Sequence, residues 1–474
     1  MSGLKFFRFS SLTALVLSAA AFILPAGTAA QSLSNEFINV RTDHSTGRFM
    51  IKTTGGDPSM ETDDNKNLLY EDIPPTSFTT VRIDGKNYIF GSQDGKFIMQ
   101  PSQQGDNLIA TWEIKGIEIT QTINLVSGIT TGNPDNMQIK YFIKNNDKNP
   151  KEVGLRVLFD TLLGWNDGAP FSIPGAGSVT SETEFYGSDI PDFWYAIDSI
   201  SNPTVKSQGR LSGMDLTKPD YLAFACWSRF SDNPWKIDIK AGKTFKRNPF
   251  SPLDSAVALF WEPKTLDPGK TISYMTEYGL FGTEVKKGPL LNVSISGPVV
   301  SVFYPFTIVC DIENGTSTKY AYDMSVRLKL PNDESLKVLN DEFKTAKLKP
   351  AEISKVSWSV LPGKMLSGPK EYTIEVTFWD QETRTPENMQ TITLSRKILM
   401  IGFQEEENIN MQLEELNRKI KAKNKNVTEL NESSDKIKLN INNINDKLEI
   451  SNTRLKELID RLKAGDASDT AAGR

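Results

Sequence analysis

The chain has 474 residues, with 54 Lys+Arg against 59 Asp+Glu, two cysteines and a single histidine. A net charge of -5 supplies no basic field for wrapping nucleic acid, and the length allows two or three domains with real cores. His44 alone excludes any site with two histidine ligands or a histidine pair, and a Ser/His/Asp triad would have to use it.

Residues 1–30 read as a secretory signal peptide. Lys5 and Arg8 precede an apolar run over residues 12–24, and Pro25 and small residues lead to Thr28, Ala29 and Ala30. The run is about thirteen residues and a membrane span needs about twenty, so export rather than anchoring is expected. No transmembrane span and no lipid attachment point is read from the chain. The expected destination is the periplasm, with the cell surface or the medium as alternatives.

Residues 31–285 carry strand after strand with turn residues between them. Met137, Ile139, Tyr141 and Ile143 alternate with Gln138, Lys140 and Lys144, Asn145-Asn146-Asp147 turns the chain, and Val153, Leu155, Val157 and Phe159 alternate again. Period two around a polar turn predicts an antiparallel hairpin or a longer-looped relative of one. Ile117, Ile119, Ile123 and Leu125 give another half-buried strand, and Asp84-Gly85 is a two-residue turn signal. With no Pro/Ser linker dividing the region, one large antiparallel β-sandwich is expected.

The stretch richest in candidate chemistry is residues 159–198, where acids alternate with aromatic rings and loop-forming Gly and Pro. Asp160, Trp165, Asp167, Asp192 and Trp194 are the candidate ligand-binding residues. Rings stack on the C–H faces of sugars while carboxylates bind hydroxyls. Two such acids could also cleave a glycosidic bond at the appropriate separation, and Asn166-Asp167-Gly168 could offer oxygens to calcium. The plain alternative is a packed loop whose aromatics close the end of the sandwich. Trp227 and Trp235, flanking Arg229, Asp232 and Asn233, could join the same rim or lie in the core at strand ends. In size and strand style this region is similar to the super-sandwich of sugar mutarotases. That resemblance implies a fold and no enzyme, because mutarotase chemistry relies on a histidine pair acting with a carboxylate. His44, in a polar turn, cannot supply it.

Residues 286–401 form a second β unit. Phe306, Ile308, Cys310 and Ile312 share one face, followed by Met324, Val326, Leu328 and Leu330, then Val356, Trp358 and Val360, then Tyr372, Ile374, Val376 and Phe378. About seven short strands in about 110 residues is the size of an immunoglobulin-like sandwich. The runs Pro305-Phe-Thr-Ile-Val-Cys-Asp-Ile-Glu-Asn-Gly315, Ala321-Tyr-Asp-Met-Ser-Val-Arg-Leu-Lys-Leu-Pro331 and Leu348-Lys-Pro-Ala-Glu-Ile-Ser-Lys-Val-Ser-Trp358 resemble the bacterial cell-adhesion-related, CARDB-type Ig-like module. The resemblance implies an exported spacer or interaction domain without catalytic residues. Cys226 and Cys310 each sit in an apolar strand, which favours burial as free thiols over an inter-domain disulfide.

Past residue 402 proline disappears and Asn, Lys, Glu and Leu/Ile dominate. Leu413, Leu416, Ile420, Val427, Leu430, Ile437, Ile441, Ile444, Leu448, Leu455, Leu458 and Leu462 fall on an a/d ladder that begins at Ile409 and is interrupted only by Lys423, Ser434 and Ser451. Sustained 3.5-residue periodicity predicts a coiled coil over residues 402–464, with a disordered tail at 465–474. The fold class expected is therefore mainly β, with a large sandwich, an Ig-like sandwich and a long α-helical coiled coil. The function expected is a non-enzymatic envelope adaptor that self-associates or docks on a protein partner through residues 409–462, with carbohydrate binding at the acidic-aromatic loop as the alternative. No cofactor and no metal site is expected.

Overall fold

The computed structural model describes residues 31–58, 60–199, 203–213, 216–300, 305–338, 342–363, 368–400 and 448. The described part through residue 400 belongs to one compact unit. It holds two stacked-sheet bodies.

In the first body, a six-stranded antiparallel sheet runs in the order Thr183–Tyr186, Tyr221–Cys226, Ser255–Leu266, Lys151–Asp160, Phe78–Ile83, Lys86–Ile89. It faces a nine-stranded sheet whose central strands are Thr271–Leu280, Asn136–Asn145 and Ile117–Val126. Alternation decides which side chains meet between them. Val153, Leu155, Val157 and Phe159 from one sheet join Met137, Ile139, Tyr141 and Ile143 from the other in a single core. Asp84 and Gly85, at φ 48° and 81°, close the hairpin between Phe78–Ile83 and Lys86–Ile89.

The hairpin expected around Asn145-Asn146-Asp147 is not one. Asn136–Asn145 pairs with Ile117–Val126 and Thr271–Leu280, whereas Lys151–Asp160 pairs with Phe78–Ile83 and Ser255–Leu266. The turn is a corner where the chain crosses from one sheet to the other. Asn145 Nδ2 pins it, donating to the carbonyls of Asn149 and Leu266 at 2.8 Å each.

The six-stranded sheet is covered on its outer face too. Phe78, Leu158, Tyr221, Phe230, Trp235 and Phe260 form a second apolar layer beneath the short helix Trp227–Asp232 and the segment after it. Arg156 is fully buried there, and its Nη1 donates to the carbonyls of Phe230, Asn233 and Trp235 at 2.9–3.2 Å. Coverage on both faces explains why Lys151–Asp160 is buried almost throughout.

The second body packs a five-stranded sheet containing Leu291–Ser296, Phe306–Asn314 and Ile353–Pro362 against a four-stranded sheet of Glu342–Leu348, Ala321–Lys329, Gly368–Trp379 and Met389–Met400. Its core holds the alternating residues read from the sequence, from Phe306, Ile308, Cys310 and Ile312 to Tyr372, Ile374, Val376 and Phe378. Cys226 and Cys310 are both buried free thiols. The bodies are joined by an apolar patch of Phe193, Tyr195, Ile197, Phe281 and Val309. Beside it the Tyr195 hydroxyl donates to Asp311 Oδ1 at 3.1 Å, and Lys355 reaches both.

The expected fold class requires one correction. Among the described residues the chain is mainly β, with one six-residue helix, three single 3-10 turns and a helical Leu448, and no long C-terminal coiled coil is present. Of the expected seam only Leu448 is described; it is helical and 41% exposed. Leu413, Leu416, Ile420, Val427, Leu430, Ile437, Ile441, Ile444, Leu455, Leu458 and Leu462 lie outside the described residues, as do the expected signal peptide at 1–30 and the tail at 465–474. The adaptor reading that rested on this seam is not carried by the structure.

Candidate functional site

The site is built where the strand Lys151–Asp160 ends. Its last residue, Asp160, is held on both sides: its amide donates to Ser77 Oγ at 3.0 Å and its carbonyl accepts from the Tyr70 amide at 2.9 Å. The chain then turns through residues 161–170. Leu163 and Asn166 exchange amide-to-carbonyl bonds of 2.9–3.1 Å, leaving Gly164 and Trp165 at the tip with Gly164 at φ 59°. This tight turn projects Trp165 outward at 89% exposure.

Asp167 returns the loop to the sheet. Its carbonyl accepts from the Ser255 amide at 2.7 Å, at the start of the neighbouring strand Ser255–Leu266. That registry places Asp254 beside it. One carboxylate oxygen from each of Asp160, Asp167 and Asp254 lies within 4.8 Å of the other two.

Asp160 is 3% exposed, whereas Asp167 and Asp254 are half-buried. Among the described residues none of the three has an ion-pair partner of opposite charge. Asp160 Oδ1 and Asp167 Oδ1 are buried without a hydrogen-bond partner. The Thr76 hydroxyl faces Asp160 but makes no well-aligned bond to it. Asp254 is better served, by the Cys226 thiol at 3.5 Å and by the Ser228 and Trp227 amides. Burial pushes Asp160 well above the ordinary carboxylate range. Burial first, and the charge of Asp254 second, push Asp167 up to about 7. Burial raises Asp254 as well. The charge of Asp167, together with burial and the other acids, raises the nearby Tyr70 phenol. All these shifts report negative charge that is poorly solvated and lacks a protein cation.

Three segments frame the acids: residues 70–77, 161–170 and 246–254. They carry the three most exposed large apolar side chains among the described residues, Phe250 at 98%, Trp165 at 89% and Ile73 at 86%. The Trp227 indole ties the rim together by donating to the Thr76 carbonyl at 3.1 Å.

The sequence-predicted residues divide. Asp160, Trp165 and Asp167 come together. Trp194 does not, because on the strand Phe193–Ile197 it points into the first core, fully buried, stacked on Tyr278 at 5.4 Å and edge-on to Phe171. Gly209 on the next strand makes room for it, since a Cβ there would lie 2.3 Å from the indole. The alternate residues Phe193, Tyr195 and Ile197 face the second body. Trp194 is therefore a core residue and not an exposed sugar platform. Asp192 lies at the joint, its carbonyl accepting from Leu211 and Ser212, beside a small cavity of about 40 Å³ lined also by Phe193, Arg210 and Phe306. Trp235 is buried against Phe260. His44 Nδ1 bonds to the Pro101 carbonyl at 3.0 Å. Asp254 and Phe250 were not singled out from the sequence, and the Asn-Pro-Phe-Ser-Pro-Leu-Asp run at 248–254 shows only turn chemistry.

No protein-family profile matches the chain, and no curated protein matches it. Solved structures are similar to parts of it. A galactose mutarotase related enzyme from Lactobacillus acidophilus is 9% identical, covering 54% of this chain and 98% of its own, with a TM-score of 0.32. A galactose mutarotase-like protein from Lactobacillus casei is 10% identical over 53% of this chain and 100% of its own, with a TM-score of 0.34. A polysaccharide lyase is 14% identical over 77% of this chain and 46% of its own, with a TM-score of 0.31.

Proposed function

We propose that the protein binds carbohydrate after export, at the face framed by Trp165, Phe250 and Ile73. The observation that carries this reading is that two of the three most exposed large apolar side chains, Trp165 and Phe250, stand on the loops that hold Asp167 and Asp254, while the third, Ile73, is on the segment whose Tyr70 amide bonds to the Asp160 carbonyl. An indole left 89% exposed on a turn braced by backbone hydrogen bonds is a preformed platform for the C–H face of a sugar ring. The half-buried carboxylates of Asp167 and Asp254 are placed to accept hydrogen bonds from hydroxyls.

Binding is favoured over inverting hydrolysis on distance, since an inverting pair leaves about 6.5–9.5 Å for a water molecule and here oxygens of all three acids lie within 4.8 Å, and over a retaining pair that uses Asp160 on exposure. Asp160, at 3% exposure, cannot reach a glycosidic bond.

A glycan array probed with the purified protein tests the reading. Retention of an oligosaccharide class by the parent, largely kept by Trp165→Phe and weakened at least about tenfold by Trp165→Ala, supports it. Silence across the array, or binding untouched by Trp165→Ala, overturns it.

A further inference from the structure

Independently of any sugar, the geometry points to a divalent cation site, and to calcium as its occupant, formed by Asp160, Asp167 and Asp254. The first observation is convergence: one oxygen from each carboxylate lies within 4.8 Å of the others, with no Lys or Arg paired to any of them among the described residues. The second is an orphan. Asp160 is more than nine-tenths buried, and its Oδ1 has no hydrogen-bond partner. An unpaired buried carboxylate oxygen is costly unless a proton or a metal compensates it. Asp167 Oδ1 is in the same condition, and so is the Thr76 hydroxyl that faces Asp160.

The donor set selects the metal. Carboxylates and a hydroxyl are hard ligands, which suit Ca²⁺ or Mg²⁺ rather than zinc or copper. The one nearby sulfur, Cys226 Sγ, is engaged with Ser228 Oγ at 3.1 Å and Asp254 at 3.5 Å. The 4.8 Å bound on the three oxygens admits either ion; calcium is favoured because it accepts irregular, protein-rich carboxylate shells, whereas magnesium demands near-ideal octahedral geometry and keeps several of its waters. Their half-exposed side leaves room for the waters that complete a calcium shell.

Such an ion would clamp the end of the strand Lys151–Asp160 to the 161–170 loop and to the residue that precedes Ser255–Leu266. It would lock together two of the segments that carry the exposed rim.

Calorimetric titration of chelator-treated protein with calcium chloride at neutral pH, paired with thermal melting, tests the site. The expected result is one calcium per chain, a melting temperature raised by millimolar calcium and restored by chelator, and a weaker response to magnesium. Asp167→Asn and Asp254→Asn should each weaken calcium binding by about 10- to 100-fold, while keeping the far-UV spectrum and cooperative melting of the calcium-free parent. Absence of binding at millimolar calcium overturns the site. So does calcium binding unaltered in both variants, or magnesium binding as tightly as calcium. Because the readouts contain no sugar, failure here leaves the glycan array unaffected, and the converse holds.

Discussion

Gly168 faces Leu253 so closely that a Cβ added to it would lie 2.2 Å from the Leu253 Cβ. This approach presses the Trp165 loop onto the Phe250 loop, so the rim is shaped by the absence of one methyl group. Gly168→Ala must push the loops apart, at a cost of about 1–3 kcal/mol. The expected outcome is weaker glycan binding with a small fall in melting temperature. Adding Leu253→Gly, which removes the clashing Cβ, to Gly168→Ala should recover part of the lost glycan binding, which paired binding measurements on the single and double variants would show.

Two buried acids away from the rim make stability depend on pH. Asp135 is fully buried, and burial pushes it up to about 7 against the weaker opposing pull of the Thr131 hydroxyl and the Gly128 amide. Burial raises Asp63 to about 7 as well. A carboxyl whose native value is raised above its unfolded value favours folding while it stays protonated. Between about pH 4 and pH 7 the native state keeps protons that the unfolded chain has released, so stability falls as pH rises across that window and levels off above it. Denaturant melts without added calcium should show lower stability at pH 8 than at pH 5. Asp135→Asn should stabilise the protein at pH 8, on the order of 2 kcal/mol, with little effect at pH 5. Equal gains at both values would contradict the assignment.

The joint between the two bodies is a packed interface rather than a linker. Phe281 stacks on Tyr195 with ring centroids 4.6 Å apart and 16° between planes, beside Val309 of the second body. Phe281→Ala should cost about 3–5 kcal/mol and split a single calorimetric transition into two. A variant that still melts in one transition would mean the bodies are coupled elsewhere, for example where Arg396 bonds to the Thr130 carbonyl.

Arg156 offers a test of the outer layer. Its guanidinium satisfies three carbonyls of the segment that covers the six-stranded sheet. Arg156→Met fits the space and leaves those carbonyls unpaired, so a loss of about 1–3 kcal/mol is expected. Hydrogen exchange should localise the loosening to the helix Trp227–Asp232 and the residues after it.

These dependencies explain what could be read in advance. Strands were legible because period two survives wherever one face meets a core, as at Ile117, Ile119 and Ile123 or Ile308, Cys310 and Ile312. Pairing was not legible: a polar turn at Asn145-Asn146-Asp147 looks the same whether it folds a strand back or carries the chain to the opposite sheet. Asp160 and Asp167 stood out as acids among aromatics, but their partner Asp254 is brought in from about 90 residues away by strand pairing that no local pattern records. Trp194 misled for the opposite reason. Both faces of its strand are covered, so alternation held while neither face remained free. The a/d ladder past residue 402 expressed a period, and a period alone names neither a partner nor a burial; Leu448 is exposed.

The most direct measurement of the central claim is acrylamide quenching of tryptophan fluorescence during titration with an oligosaccharide retained on the array. Trp112, Trp194 and Trp261 are fully buried, whereas Trp165 is 89% exposed. The account predicts that saturating ligand removes most of the readily quenched emission, and that Trp165→Phe abolishes this change while keeping most of the affinity. Saturable sugar binding that leaves the quenched fraction of the parent protein unaltered would place the sugar elsewhere and contradict it.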